Sequence, residues 1–334
     1  MNDAKHLAAA YRSFLYIAIA FLLMSCFEQL NLPAKISVKI SVSKTPLSAP
    51  FFIAEALNLF ENTCADVTLI ETIGGKKSFD KVMNGEADYG TSSDSVLVFE
   101  SLTRDDFVTL ATFAQSDNDV KIITTTSSGI ITGKDTFNKR IGYTKGAAGE
   151  YLLSTFLALE GSNISHIISK QYAPDKLQQA LLNNEIDVVV LWEPYAYQTI
   201  KALSQQAKVL NTKSLYKLTF NLIALKTRSA EQVDSSICIL KGLNRAINYI
   251  AVEPDKSKAI LVERLALDQQ FIDGVWEDYI FKLGLNRSLQ MSLQSQATWA
   301  IENGMVAPQT IPNYEEIIDA SALLQVNPLA VTLL

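Results

Sequence analysis

The chain has 334 residues, 48% hydrophobic and 19% charged, so it can fill the cores of two domains and is not a disordered chain. A net charge of −6 argues against the basic face that a nucleic-acid partner requires. Two histidines and three cysteines, with no CxxC or HExxH spacing, provide poorly for a metal, and no cofactor is expected.

Lys5 and Arg12 precede an apolar run, Phe14 to Met24, which is too short for the roughly 20 residues of a membrane span. Residues 1–25 therefore read as a signal peptide. The sequence Leu23-Met24-Ser25-Cys26 resembles a bacterial lipoprotein signal, in which a small residue precedes a cysteine that is lipidated. Met24 departs from that pattern, and ordinary secretory cleavage with an incidental Cys26 is the alternative. After cleavage His166 is the last histidine, which argues against a Ser-His-Asp or Cys-His nucleophile. Cys64 and Cys238 remain, either bridged or as two buried thiols.

From Ile36 the chain alternates strand, loop and helix. "ISVKISV" (36–42) alternates as a half-buried strand, "TPLSAP" (45–50) is turn chemistry, and 51–60 carries helical spacing. Residues 66–71 form the next predicted strand, Gly74-Gly75 open a helix reaching Met83, and 87–91 are a third strand. Such alternation predicts an α/β fold with parallel sheets covered by helices.

The pattern then recurs. "VMNGEAD" (82–88) aligns with "LLNNEID" (181–187) at an offset of 99, and "SVSKTPLSAPFF" (41–52) has a looser counterpart in "GYTKGAAGEYLL" (142–153). Each half reads as a βαβαβ unit. Six residues beyond Asp88 stands Asp94, and six beyond Asp187 stands Glu193. Both follow a strand's C-terminal end, where open α/β sheets bind ligands. Two facing lobes would aim 91–94 and 191–194 into one cleft. From about Ser229 the chain turns helical, over 235–253, 254–266, 269–284 and 289–304. Crossings between lobes are expected near Asn118–Lys121 and Lys217–Asn221, making a hinge.

Together these segments resemble the periplasmic solute-binding proteins of ATP-binding-cassette importers, in the branch for nitrate, sulfonates, taurine and thiamine precursors. Carrying the resemblance are 54–71, 84–90, 139–153, 181–196 and 311–334. It implies a two-lobed fold with lobe one at 26–117 and 221–334, lobe two at 118–220, and a ligand cleft between them. It implies a monomer on the periplasmic side, tethered by a lipid on Cys26, handing a small molecule to a membrane permease.

Carried over residue by residue, the family's site falls on Thr45, Pro46 and Leu47, then Gly75 beside Gly74, then Ser92, Ser93 and Asp94. Gln115, with Ser116, lies beside the hinge. The second lobe offers Thr144, Lys145, Gly146, Ala147 and Ala148, faced by Trp192 and Glu193, with Asn221 on the return crossing. Sulfonate binders of the family favour Ser or Thr where this chain has Ala147 and Ala148. Asp94 and Glu193, if both faced the cleft, would repel a sulfonate. The expected ligand therefore carries amine or heterocyclic N–H donors and a flat face, as a pyrimidine-type thiamine precursor does.

Plainer roles stand beside these. Trp192 could plug a sheet end, Asp94 and Glu193 could cap helices, and Lys145 could be solvated. Asp88 and Asp187 read as structural, and Tyr195 and Tyr197 as packing. A sensory input protein with a separate signalling partner is the competing function, and so is a binder of sulfonate, taurine or nitrate. An enzyme is not expected, because an enzymatic relative relies on histidines and cysteines without counterparts here.

Overall fold

Strand β1 (Ile36–Ser43) shows why this chain forms sheets: Val38, Ile40 and Val42 are buried while Lys39 between them faces out. The computed structural model describes residues 35–60, 65–307 and 309–333. The expected signal peptide, Cys26 and Cys64 lie outside the described residues.

In chain order follow β2 (Ala65–Thr72), β3 (Tyr89–Ser93), β4 (Phe107–Ser116), β5 (Val120–Thr125), β6 (Arg140–Tyr143) and β7 (Ile168–Gln171). Then come β8 (Val188–Trp192), β9 (Ala207–Leu210), β10 (Leu218–Leu225), β11 (Tyr279–Asn286) and β12 (Val331–Thr332). Among the described residues these build two sheets, ordered β12-β11-β4-β10-β3-β1-β2 and β7-β6-β8-β5-β9. The chain leaves the first sheet after Ser116 and returns at Leu218, so the crossings are residues 117–119 and 211–217. They lie close to the expected hinge segments, but Lys121 is already in β5, and Asn221 is already in β10.

The sheets are mixed, which corrects the expectation of parallel ones. β1 pairs parallel to β3, and β6 to both β7 and β8. However, β10 runs antiparallel to β3 and β4, and β5 antiparallel to β8 and β9. The strands that enter from the crossings, β5 and β10, run against their neighbours, and so does β11 against β4. A second correction concerns 269–284: the helix stops at Val275, and from Tyr279 the chain is strand β11, paired antiparallel with β4. Tyr279, Leu283 and Leu285 are buried there and Ile280 is exposed, a pattern a sheet accommodates. The first helix spans Ala49–Ala56 after a 3-10 turn at Pro46–Ser48, earlier than the expected 51–60.

The internal repeat is present in three dimensions. Asn84 and Asn183 N–H groups donate to Asp80 and Gln179 carbonyls, both at 2.9 Å. Glu86 and Glu185 donate to Lys81 and Ala180 at 2.8 and 2.9 Å. The left-handed residue between them is Gly85 (φ 71°) in one half and Asn184 (φ 56°) in the other. Asp88 and Asp187 then close the turn alike, accepting from the Lys39 and Arg140 amides at 2.7 and 2.8 Å. Both aspartates are structural, and Asp187 also holds the Arg140 guanidinium.

The C-terminal helices pack on the first sheet's elements. Helix Val233–Val252 lies against helix Ala49–Ala56 and β11, and helix Arg287–Glu302 lies against helix Asp94–Ser101. Cys238, fully buried in the long helix, is disulfide-bonded. Among the described residues no helix is long and apolar enough to cross a membrane.

A Cβ at Gly85 would meet nothing within 4 Å, so Gly85→Ala tests backbone conformation alone. Urea denaturation should show a loss of about 1–2 kcal/mol for Gly85→Ala, while Asn184→Gly should leave the midpoint unchanged or raised.

Candidate functional site

Where the C-terminal ends of β1, β3 and β8 converge, a cavity of about 180 Å³ lies between the two sheets. That is below the roughly 300–1,000 Å³ typical of sites for drug-sized molecules, so it suits a small metabolite. The first sheet and its loops contribute Ser43, Thr45, Leu47, Ile73 to Lys77, Ser93, Val96, Leu218 and Phe220. The second contributes Thr144, Ala147, Ala148, Pro174 and Trp192, and Asp119 comes from the first crossing.

Local chemistry explains the walls. Thr45 ends the β1 loop as an N-cap, its hydroxyl accepting from the Leu47 N–H at 3.4 Å. Ser93 caps helix Asp94–Ser101 in the same way, accepting from Val96 N–H. Gly74 has φ 82° and ψ 155°, a conformation close to glycine-only, and a Cβ there would stand 3.2 Å from Trp192 Cζ2. A Cβ on Gly75 would stand 3.1 Å from Ser92 Cα and Ser93 N, backbone atoms that cannot yield. The glycine pair lets the indole of one sheet lie against the backbone of the other's loop.

Of the sequence-derived site residues, Thr45, Leu47, Gly75, Ser93, Thr144, Ala147 and Trp192 line this cavity, with Gly74 and Ala148 beside them. Pro46, Ser92, Asp94, Gln115, Lys145, Gly146, Glu193 and Asn221 do not line it. Pro46 is buried in the 3-10 turn, and Lys145 is solvent-exposed. Ser92 and Asn221 face the core of the first sheet: Ser92 Oγ donates to the Gly75 carbonyl and the Asn221 amide donates to the Ser92 carbonyl. Thr112 Oγ1 donates to Asn221 Oδ1 at 2.6 Å. Gln115 and Ser116 sit in β4, outside the lining. Gly146 donates its N–H to Glu150 Oε2 at 2.7 Å.

The two carboxylates expected as jaws turn inward. Asp94 is fully buried, accepting hydrogen bonds from the Tyr216 hydroxyl, Gln296 Nε2 (2.9 Å) and its neighbour's amide, Ser95 N–H (3.0 Å). Glu193 accepts from Tyr197 N–H at 2.9 Å, capping the helix Tyr195–Leu203, and lies 3.5 Å from Lys121 Nζ. Pro194 stands just before that helix, joined to Glu193 by a cis peptide bond. Capping was the plainer of the two readings for Glu193, and it describes the geometry.

Sequence reading passed over Ser43, Ile73, Lys76, Lys77, Val96, Pro174, Leu218, Phe220 and Asp119. Asp119 is the telling omission. It sits one residue before β5, where Val120 pairs with Trp192, and Glu193 N–H donates to its carbonyl at 3.1 Å. A single Asp between "SDN" and an apolar strand has no spacing to mark it.

Burial dominates the titration of all three acids. It pushes the Asp94 carboxyl up to about 6 against the hydrogen bonds from Tyr216 and Gln296. Glu193 rises to about 7 despite Lys121, and Asp119 to about 7 despite the Tyr279 hydroxyl, with Glu193 repelling it further. Each is more acidic in the unfolded chain, near about 4. Their stabilising contribution is therefore complete below about pH 4 and is lost as pH rises through 6 and 7. Thermal melts of the unliganded protein should show a midpoint that falls between pH 5 and 8, with Asp94→Asn and Glu193→Gln each flattening the slope. A midpoint rising over that range would contradict these buried acids.

A family model described as NMT1/THI5 like matches residues 45–257. A search of curated protein sequences gave no match. Among solved structures, the alkanesulfonate-binding protein SsuA from Xanthomonas axonopodis pv. citri, bound to MOPS, superposes with a TM-score of 0.76 at 16% identity, covering 86% of this chain and 99% of its own. The periplasmic nitrate-binding protein NrtA from Synechocystis PCC 6803 gives 0.71 at 12%, covering 89% and 90%. The desulfurization enzyme DSZB gives 0.65 at 10%, covering 87% and 99%. The chain belongs to the NMT1/THI5-like family and has the two-lobed fold of the periplasmic binding proteins of ATP-binding-cassette importers.

Proposed function

We propose that the protein captures a small organic molecule between its lobes and delivers it to an ATP-binding-cassette permease. The observation that carries this reading is the cavity between the two sheets, with Trp192 of one lobe against Gly74 of the other. Ligand capture needs groups from both lobes and a connection that can bend, and residues 117–119 and 211–217 are short crossings of that kind. Binding without bond chemistry is the reading adopted. The fold itself also serves an enzyme, so turnover is a question for experiment.

The ligand we favour carries amine or heterocyclic N–H donors on a flat body, such as a thiamine precursor. An apolar enclosure of Leu47, Ile73, Val96 and Phe220 with one indole suits a planar ring. Asp94 and Glu193 are committed to partners inside the protein and do not bear on it. What does is the acid on the crossing, Asp119, together with Glu150. Glu150 is 1% exposed and its carboxyl already sits at the start of helix Ala148–Leu159, where an oxyanion would otherwise bind. A sulfonate or nitrate is the second reading. It is favoured by helix Gly75–Met83, which starts in the cavity wall without a side-chain cap and carries Lys77 in its first turn.

We place the protein outside the cytoplasm, anchored through a lipid on Cys26, on the strength of the sequence before Ile36, and take it as a monomer from the resemblance alone. A sensory role would use the same capture step with a different partner.

Native mass spectrometry of freshly purified protein should reveal one small molecule bound in a one-to-one ratio. Calorimetry with that compound should show at least a tenfold loss of affinity in Trp192→Ala, with no turnover on prolonged incubation. Product formation would move the assignment to an enzyme. Separately, Cys26→Ser should shift the protein from the membrane to the soluble fraction on cell fractionation; an unchanged distribution would remove the lipid anchor.

A further inference from the structure

We propose that Trp299 and Ser154 form a latch between the lobes, a hydrogen bond outside the cavity that favours the closed cleft and so sets how tightly a ligand is held. It rests on the capture reading and adds a residue pair that acts without touching the captured molecule.

Trp299 belongs to helix Arg287–Glu302, which packs on the first sheet's elements, and Ser154 to helix Ala148–Leu159 of the second lobe. The indole donates its Nε1–H to Ser154 Oγ at 2.8 Å, and Ser154 is 3% exposed. Around this bond the Tyr151 ring stands edge-on to Trp299 with centroids 5.0 Å apart, and the Phe99 ring does so at 6.3 Å. None of these four residues lines the cavity.

Each partner is nevertheless tied to a cavity wall. Ala147 and Ala148, at the start of the helix that carries Ser154, line the cavity, and Ser154 stands about 9 Å further along the axis. On the other side Gln296, one turn before Trp299, donates to Asp94 Oδ2 at 2.9 Å and accepts from Ser95 Oγ at 2.8 Å. Asp94 opens the helix whose cap, Ser93, lines the cavity together with Val96. The walls that face each other across the cavity and the atoms that meet in the latch therefore move together.

Trp192 stands against Gly74 in the same arrangement that forms the latch, so the bond belongs to the closed cleft. A rotation about residues 117–119 and 211–217 that parts Trp192 from Gly74 also shifts Ser154 against Trp299, and a hydrogen bond tolerates little displacement. In the opened cleft water takes over both groups. That asymmetry fixes the sign of a substitution. Trp299→Phe keeps a ring but leaves the Ser154 hydroxyl unpaired in the closed form alone, and Ser154→Ala does the same to the indole N–H. Closure is penalised in each case, and apparent affinity falls with the closed fraction, whatever the ligand. Removing both partners leaves neither group unpaired, so the double variant recovers.

The test is fluorine NMR of the purified protein labelled with 5-fluorotryptophan and freed of co-purified compound by dialysis through guanidinium. Trp192→Phe and Trp276→Phe assign the signals of the three tryptophans. Trp192 reports the cleft, and Trp276, packed on Phe281 within the first lobe, is the control. Trp299→Phe and Ser154→Ala should each raise the open fraction read at Trp192 roughly threefold or more, with Trp276 unmoved and circular dichroism showing both variants folded. The double variant should lie nearer the wild type than additive effects allow. A Trp192 signal unchanged in the folded variants, equal shifts at Trp192 and Trp276, or additive effects in the double variant would overturn the latch. Each of those results leaves solute binding standing, because the co-purified molecule sought by native mass spectrometry decides that question separately.

Discussion

The two crossings between the sheets are tied to each other, and the site depends on that tie. Ser214 on the second crossing donates its N–H and hydroxyl to the Asp117 carbonyl and carboxylate on the first, at 3.1 and 2.8 Å. Asp278, at the entry to β11, accepts from Asn118 on one crossing and Lys213 on the other. Two segments joined in this way are held side by side. The pairing of Val120 with Trp192 then begins immediately, so the second sheet is referenced to the crossing within one residue.

That arrangement concentrates charge where water is scarce. Asp119, Glu193 and Lys121 are all nearly buried, and isolated buried ions are expensive unless paired and hydrogen-bonded. Glu193 meets this demand by capping its own helix and lying near Lys121. Asp94 meets it through Tyr216 and Gln296, and Tyr216 comes from the return crossing while Gln296 comes from the C-terminal helix. The acids at the repeat positions therefore hold together elements distant in sequence. A second contact between the lobes lies behind them, where Trp299 Nε1 donates to Ser154 Oγ at 2.8 Å and the Tyr151 ring stands edge-on to Trp299 and Tyr216.

Much of this was legible from residue patterns because period and turn chemistry act locally. The β1 alternation, the glycine pair at 74–75 and the repeated turn at 82–88 and 181–187 each specify their own geometry, and the repeat reproduces it down to matching amide–carboxylate bonds. Strand β11 was not legible, since Ile272 to Leu283 carries apolar residues at spacings both a helix and a strand accept. Its assignment comes from pairing with β4, a contact more than 160 residues away. The antiparallel direction of β5 and β10 was equally hidden, because nothing local tells a strand which way its neighbour runs.

The site itself divides along the same line. Residues presented by a strand end or a glycine turn, such as Thr45, Gly75, Ser93 and Trp192, were found because position on the element decides whether they face the cavity. Asp94 and Glu193 lie outside the cavity lining because position on an element does not decide where a carboxylate points. At a helix start beside an apolar sheet, a carboxylate gains more from backbone N–H groups and buried hydroxyls than from an empty cleft. The repeat thus carries a structural acid in each half, while the acid in the cavity wall lies on the crossing, which has no counterpart in the repeat. A repeated framework supplies matching walls, and what differs between the halves lies on the crossings, where Asp119 stands between Asn118 and the first residue of β5.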